Sequence, residues 1–115
     1  MQPARYQADV AIAGGGIAGI AAAIEALSRG RRVLIVDRDA EESFGGLGRE
    51  SFGGMWFAGT PLQRRYGIRD SVELGYADWL SFGELDKTHR WPRAWARHYV
   101  ERCVPDVHEW LGGLG

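Results

Sequence analysis

The sequence predicts an α/β fold that starts with a strand–helix–strand unit. Residues 10–13 form a short apolar run, residues 17–27 repeat apolar side chains at helical spacing, and residues 33–36 form a second apolar run rich in β-branched residues. Short strands that are apolar on both faces are typical of a parallel sheet with cover on both sides. We therefore predict a parallel βαβ core over residues 8–37.

The turn between the first strand and the helix contains Gly14, Gly16 and Gly19 in a G-x-G-x-x-G spacing. In such a turn the first glycine permits a sharp change of direction, the second leaves space for a pyrophosphate, and the third lets the helix lie close to the strand. The free N–H groups at the helix start attract phosphate oxygens. Gly30 is expected to end the helix. The turn predicts a dinucleotide site.

Asp37 follows the second strand directly. A carboxylate at this place can accept both hydroxyls of an adenosine ribose, and it would repel the 2′-phosphate of NADP. The neighbouring Arg38 would offset part of that repulsion. A βαβ unit whose glycine turn binds no ligand is the alternative, and the pattern leaves it open.

Residues 38–60 carry six glycines and little periodicity, which is typical of a functional loop. The aromatic residues at its end, Trp56 and Phe57, either pack locally or form a wall on the substrate side of the site. Residues 61–115 are expected to be mainly helical.

Two helices are predicted in this last part. One covers residues 70–82 and begins at the N-cap pair Asp70-Ser71, and the other opens at Trp91-Pro92. Pro105 is expected to kink or split the second helix. The glycines at 112 and 113 are expected to stop it.

Composition excludes several classes of function. The formal net charge of −1 gives no reason to expect binding to nucleic acid or to an anionic membrane. The single Cys103 cannot form an internal disulfide, which fits a reduced, cytoplasmic setting. Residues 10–27 are apolar but contain four glycines and Glu25, so we expect neither a signal peptide nor a membrane span there.

The remaining candidates favour structural roles. The three histidines, at positions 89, 98 and 108, are widely spaced and lack a carboxylate-rich ligand set, so no metal site is expected. Cys103 falls at an apolar helical position, which favours core packing over nucleophilic chemistry. The five tryptophans at helical spacing indicate core or subunit interface.

The motifs resemble a known family. The string Gly14-Gly-Gly16-x-x-Gly19, continued by Ala23, Gly30, Val33 and Asp37, resembles the extended FAD fingerprint of two-dinucleotide-fold flavoproteins. Residues 45–55 resemble the second flavin-contacting segment of the fumarate reductase and succinate dehydrogenase flavoproteins. Residues 63–71 and 91–95 are similar to the 3-ketosteroid-dehydrogenase-like members of that family.

The resemblance implies an N-terminal, partial, Rossmann-like FAD-binding domain over residues 1–115, with 8–37 as its core, 38–60 as flavin-contacting loop and 61–115 mainly helical. It implies a flavin-dependent dehydrogenase or reductase that acts on C–C bonds. FAD would be non-covalent, because no histidine lies between Asp37 and His89. The cofactor-binding residues would be Gly14, Gly15, Gly16, Ile17, Ala18, Gly19, Asp37, Arg38, Gly45, Gly46, Ser51, Gly53 and Gly54. Gly48 departs from the Ser or Thr of many relatives.

No catalytic residue is assigned within the chain, because the family's catalytic acids lie mostly in a later capping domain. The substrate would be a small molecule, steroid-like or a dicarboxylate. Exposed aromatics and a free sheet edge suggest self-association. Two alternatives stay open: an NAD-binding Rossmann domain and a non-catalytic nucleotide-binding fragment. We also expect this chain to be a truncated portion of a longer enzyme, without turnover by itself.

Overall fold

A computed structural model describes residues 5–115. The chain divides into two compact units, one that ends at Gly54 and one that begins at Met55. Each unit is described by itself below. No helix in the described range 5–115 is long and apolar enough to cross a membrane.

The first unit contains the predicted βαβ core. Strand β1 spans Val10–Ala13, helix α1 spans Ile17–Ser28, and strand β2 spans Val33–Val36. The strands pair in parallel, with Val10 opposite Val33 and Ala13 opposite Val36. The prediction of a parallel α/β unit is confirmed as a small two-stranded sheet with helices.

Two terminal interactions fix this unit. Asp9 accepts hydrogen bonds from the backbone and guanidinium of Arg32, which ties the starts of the two strands together. At the end of α1, Gly30 adopts φ +70° and donates to the carbonyl of Leu27, while Arg31 donates to Ala26. This pair of bonds is a Schellman motif, which confirms Gly30 as the helix stop.

The segment after β2 is a loop with two short 3₁₀ turns, Glu41–Ser43 and Gly46–Glu50. The sequence pattern did not predict these turns, because runs this short carry no readable periodicity.

The second unit is helical. It contains α2 (Pro61–Arg65), α3 (Val72–Phe82), α4 (Arg90–Arg102), a π-helical turn (Cys103–His108) and α5 (Glu109–Leu114). Ser71 caps α3 by accepting a hydrogen bond from the Leu74 N–H, as predicted for this N-cap. The prediction that Pro105 interrupts the second helix is also confirmed, since it lies inside the π-helical turn.

Two expectations for this unit were wrong or incomplete. Helix α5 continues through the glycines at 112 and 113 instead of stopping there, because both keep helical backbone and neither adopts a positive φ. Helix α2 was missed, although Thr60 and Gln63 form a reciprocal capping box at its start. The spacing T-x-x-Q was the available signal for this helix start.

The core is small. Its buried hydrophobic members are Ala23, Ala58, Ala96, Val100 and Cys103. Cys103 is fully buried, which confirms core packing for the thiol. Trp91 and Trp95 are 65% and 70% exposed, so of the two expectations, core or subunit interface, the core position was wrong for both, while the interface stays a prediction. They lie on the outer side of α4, whose buried face is formed by Ala96 and Val100.

Candidate functional site

The two glycine-rich segments predicted to hold a cofactor lie against each other within the first unit. A Cβ atom built on Gly15 would overlap the ring of Phe44, so that ring packs directly on the Gly15 backbone. A Cβ built on Gly46 would lie 3.4 Å from the Cα of Gly16. The later loop therefore runs along the turn that precedes α1, with a side-chain contact at Gly15 and an ordinary van der Waals contact at the backbone of Gly16.

The contact continues into the first turn of α1. A Cβ on Gly48 would lie only 2.8 Å from Cγ1 of Ile17. A serine or threonine at position 48 would force the Ile17 side chain to move. The Ile17 side chain therefore occupies the space that a side chain at position 48 would need. Ile17 remains 65% exposed. Ala18, the next residue, is exposed as well.

The glycine turn has an open side. Nothing lies within 4 Å of a Cβ built on Gly14 or Gly16. Gly14 adopts φ +97°, which a residue with a side chain rarely adopts. Gly19 has a different constraint, because its Cβ would collide with the carbonyl oxygen of Gly14. The turn is thus tight toward the helix and open where a phosphate group would approach.

The start of α1 offers hydrogen-bond donors to that open side. Gly16 is the N-cap residue, and no side chain caps the helix. The N–H groups of the first helical turn have no acceptor within the helix, and the helix dipole adds partial positive charge there. A pyrophosphate fits this combination of free donors and open space.

Asp37 lies at the carboxyl end of β2 and reaches the glycine turn. Its Oδ2 accepts a hydrogen bond from the Gly15 N–H at 2.5 Å, and its Oδ1 accepts one from the Asp39 N–H at 2.9 Å. Both bonds hold the pKa of the Asp37 carboxyl below its ordinary value, and the bond from Asp39 is the larger cause. Each carboxylate oxygen keeps a further lone pair for a ligand.

Arg38 adds two smaller causes of the lowered pKa of Asp37, a backbone hydrogen bond and its positive charge. Its side chain is 92% exposed, and its Nε lies 3.8 Å from Oδ1 of Asp39. The structure therefore gives Arg38 no direct contact with the glycine turn among the described residues.

The loop over the turn is held by its own contacts. The Arg49 guanidinium donates to the carbonyl oxygen of Glu42. Gly45 and Gly46 adopt φ +115° and φ +55°, which reverse the chain between the two 3₁₀ turns. These glycines are needed for the left-handed backbone.

The last predicted segment, Ser51 to Gly54, makes local contacts. The Ser51 hydroxyl accepts a hydrogen bond from the Gly53 N–H at 3.0 Å, and Gly53 adopts φ +75°. The ring of Phe52, which is 97% exposed, lies beside Gly54. Among the described contacts, none joins this segment to Gly14–Gly19, so its role toward a cofactor stays a prediction.

The second unit contains an aromatic cluster of its own. Trp56 stacks on Tyr99 and meets Trp79 edge-on, and the Tyr99 hydroxyl donates to the Trp56 carbonyl at 2.7 Å. These rings, with Phe82, line a cavity of about 750 Å³. Phe57 instead meets the ring of His108 edge-on at 5.4 Å. Burial raises the pKa of Tyr99, with the nearby Cys103 as a smaller cause.

Sequence reasoning missed two residues of the first site, Phe44 and Arg49. Neither belongs to the glycine pattern, and no local signal marked them, because their roles depend on how the loop folds back. No group of three or more histidine, cysteine, aspartate or glutamate side chains within residues 5–115 is arranged to hold a metal ion.

The family profile described as "FAD binding domain" matches residues 9–115. A KsdD-like steroid dehydrogenase of Mycolicibacterium smegmatis is 44% identical over 109 residues, which cover 94% of this chain and 20% of that protein. A KsdD-like steroid dehydrogenase of Mycobacterium tuberculosis is 42% identical over 109 residues, which cover 94% of this chain and 19% of that protein.

A third relative is the NADH:fumarate oxidoreductase of Klebsiella pneumoniae, 39% identical over 107 residues, which cover 93% of this chain and 11% of that protein. The chain thus spans about a fifth or less of the length of these curated relatives.

Proposed function

Because this chain belongs to the FAD binding domain family, we propose that it forms the FAD-binding portion of a flavin-dependent dehydrogenase or reductase that acts on C–C bonds. The observation that carries the proposal is the register of the two glycine segments, which places Gly46 on Gly16 beside an uncapped helix start. An NAD-binding domain is the less favoured alternative, since the family match and the relatives point to flavin enzymes.

The residues present fit FAD. The open side of Gly14 and Gly16 provides the space that a Cβ would fill, and the first turn of α1 provides donors for the pyrophosphate. Asp37 would accept the ribose hydroxyls with the lone pairs that Gly15 and Asp39 leave free. The unit would thus correspond to the start of a Rossmann-like fold, with residues 1–115 as a partial FAD-binding domain.

Bound FAD would supply hydride transfer at its N5 atom, and this chain would supply binding and orientation. The backbone of Gly45 and Gly46 would approach the pyrophosphate and ribityl region, where a side chain would block contact. Ser51, Gly53 and Gly54 would lie beside the flat flavin ring, since their backbone is exposed. The cofactor would be held without a covalent bond, because residues 1–88 contain no histidine.

The substrate class follows from the relatives and remains a proposal. The similar proteins include steroid dehydrogenases, an NADH:fumarate oxidoreductase and an acrylate reductase flavoprotein subunit. We propose a steroid-like molecule or a small carboxylate with an unsaturated C–C bond as substrate. A reduced, cytoplasmic setting and self-association through the exposed Trp91 and Trp95 complete the proposal.

The proposal is tested by titrating the purified chain with FAD, NAD and NADP in a calorimeter. We expect FAD to bind most tightly and NADP most weakly, because the Asp37 carboxylate would face the 2′-phosphate of NADP with like charge. The absorption spectrum of the purified protein gives an independent reading of bound flavin. Binding of NADP as tight as that of FAD, or no FAD binding at all, would contradict the proposal.

A further inference from the structure

We propose that Phe44 is a positioning residue of the cofactor site, whose ring clamps the glycine turn by covering Gly15, the residue that donates a hydrogen bond to Asp37. The proposal deepens the proposed FAD binding and rests on it for its functional consequence. Its structural part concerns only residues of the first unit.

Burial within the turn is uneven, and Phe44 explains the difference. Gly15 is buried, whereas Gly14 is exposed and Gly16 half-buried. The Phe44 ring is the neighbour that a Cβ on Gly15 would meet, through its Cε2, Cζ and Cδ2 atoms. Phe44 as a residue is 40% exposed, so part of its surface stays open to solvent while the edge formed by Cδ2, Cε2 and Cζ lies on the turn.

The covered glycine makes a charge-assisted hydrogen bond. The N–H of the buried Gly15 donates to Oδ2 of Asp37. Such a bond is stronger than one between neutral groups. Covering by Phe44 therefore holds Gly15, and with it the neighbouring Gly16, in one arrangement before a ligand arrives. A turn that is ordered in advance loses less conformational freedom on binding, which raises affinity.

The loop is built to hold the ring in place. The Phe44 N–H donates to the Glu41 carbonyl at 3.1 Å, and this bond ends the first 3₁₀ turn. The Arg49 guanidinium returns to the Glu42 carbonyl, and Gly45 reverses the chain directly after Phe44. Phe44 is thus fixed on both sides by contacts that do not involve the glycine turn.

The need for glycine at position 15 comes from this ring. Gly15 is absent from the positive-φ glycines among the described residues, so its backbone would tolerate alanine. A methyl group there would have to displace the Phe44 ring. The clamp therefore predicts a reciprocal pair: Gly15→Ala displaces the ring, and Phe44→Ala frees the space that a methyl group at position 15 needs.

The first experiment compares Phe44→Ala, Phe44→Leu and the wild-type chain by amide hydrogen exchange and FAD titration. Phe82→Ala is the matched control, because Phe82 is 96% exposed and lies in α3 of the other unit. We expect Phe44→Ala to speed exchange at the Gly15 amide and to weaken FAD affinity, each about tenfold. Phe44→Leu should restore most of the slow Gly15 exchange and most of the FAD affinity, and Phe82→Ala should change neither quantity.

The hydrogen-exchange rate of the Gly15 amide tests the proposed clamp independently of FAD binding. An unchanged Gly15 rate in Phe44→Ala, or a rise that Ile35 in β2 shares equally, would overturn it. Failure of the wild-type chain to bind FAD would overturn the proposed function, while the Gly15 rate would still judge the clamp.

The second experiment uses the double variant Gly15→Ala/Phe44→Ala. If the ring is the obstacle, the double variant is more stable to urea than Gly15→Ala alone, because the inserted methyl group fills the freed space. Strict additivity of the two single effects would mean that position 15 and Phe44 do not interact, and it would overturn the clamp.

Discussion

At the scale of single residues, the turn before α1 shows that its glycines are required for different reasons. Gly19 lacks room for a side chain because the Gly14 carbonyl occupies that place. Gly16 has room, since nothing lies within 4 Å of its Cβ position. A glycine that has space and still lies at the N-cap of an uncapped helix is better explained by a ligand than by packing. The two positions should therefore respond differently to substitution.

The first prediction concerns Gly16→Val. We expect this variant to lose saturable FAD binding while its circular dichroism stays close to that of the wild type. The added side chain would fill the phosphate space and cover the first N–H groups of α1. Gly112→Val is a matched control, since its Cβ also meets open space but lies in α5. Wild-type affinity in Gly16→Val would remove the glycine turn from the binding site.

The second prediction concerns pH. Hydrogen bonds from Asp39 and Gly15 lower the pKa of Asp37 in the folded chain below 3.8. A carboxyl with a lowered pKa stabilises the fold fully above its unfolded pKa, and this contribution is lost as pH falls through the folded value. We therefore expect the stability difference between wild type and Asp37→Asn to shrink below about pH 3.8.

Urea midpoints of both proteins at several pH values between neutral and strongly acidic conditions measure this difference. Asp9 and Asp86 also have lowered pKa values, but they titrate in both proteins, so the difference isolates Asp37. A difference that stays constant into strong acid would show that Asp37 gains nothing from its two hydrogen bonds.

At the scale of secondary-structure elements, sequence was most informative where the signal is local. Apolar runs, the N-cap Ser71 and Gly30 each depend on a few neighbouring residues, and all three are found in the structure. The contact between Phe44 and Gly15 joins residues 29 positions apart, and it depends on how a loop without periodicity folds. The outward orientation of Trp95 could not be inferred from the sequence, because the helical spacing of a tryptophan is the same whether its side chain is covered or exposed.

Helix α3 ends in a way that sequence alone would not favour. Glu84 adopts φ +51°, the only positive φ of a non-glycine residue within residues 5–115. Its N–H donates to the Ser81 carbonyl, and the Leu85 N–H donates to the Leu80 carbonyl. This is the same Schellman pattern that Gly30 completes after α1, but with a side chain at the left-handed position. Left-handed backbone costs a residue with a Cβ on the order of 1–2 kcal/mol.

The third prediction is therefore that Glu84→Gly stabilises the chain by about 1 kcal/mol, with a rise in Tm of about 4–8 °C. Glu84→Ala is the control, because it removes the charge but keeps the Cβ in the left-handed region. Thermal unfolding followed by circular dichroism measures both variants. Equal stabilisation by alanine would assign the gain to loss of the carboxylate and not to relief of backbone strain.

At the scale of the whole molecule, few hydrophobic side chains are buried and several large aromatic side chains are exposed. Only five hydrophobic residues of the described chain are buried, while Phe52, Phe82, Trp91 and Trp95 are exposed by at least 65%. Exposed apolar side chains mark a contact site for protein or ligand where they form one large contiguous patch, whereas scattered ones need no explanation. The relatives are roughly five or more times longer than this chain.

The last prediction is that this chain has no steady-state dehydrogenase activity by itself, even with FAD bound. Hydride transfer at a carbon needs the substrate held at the flavin and a positioned acid or base, and such orientation supplies ~7–11 kcal/mol of a barrier. The unit that carries the glycine turn contains no histidine or lysine, and the Asp37 carboxylate is engaged by Gly15 and Asp39. An artificial-acceptor dye assay with FAD-loaded chain over ketosteroids and succinate, and a reduced-dye assay over fumarate, should each give the rate of free FAD, which is the control. Turnover clearly above that rate would show that the acid or base and the substrate pocket both lie within these 115 residues.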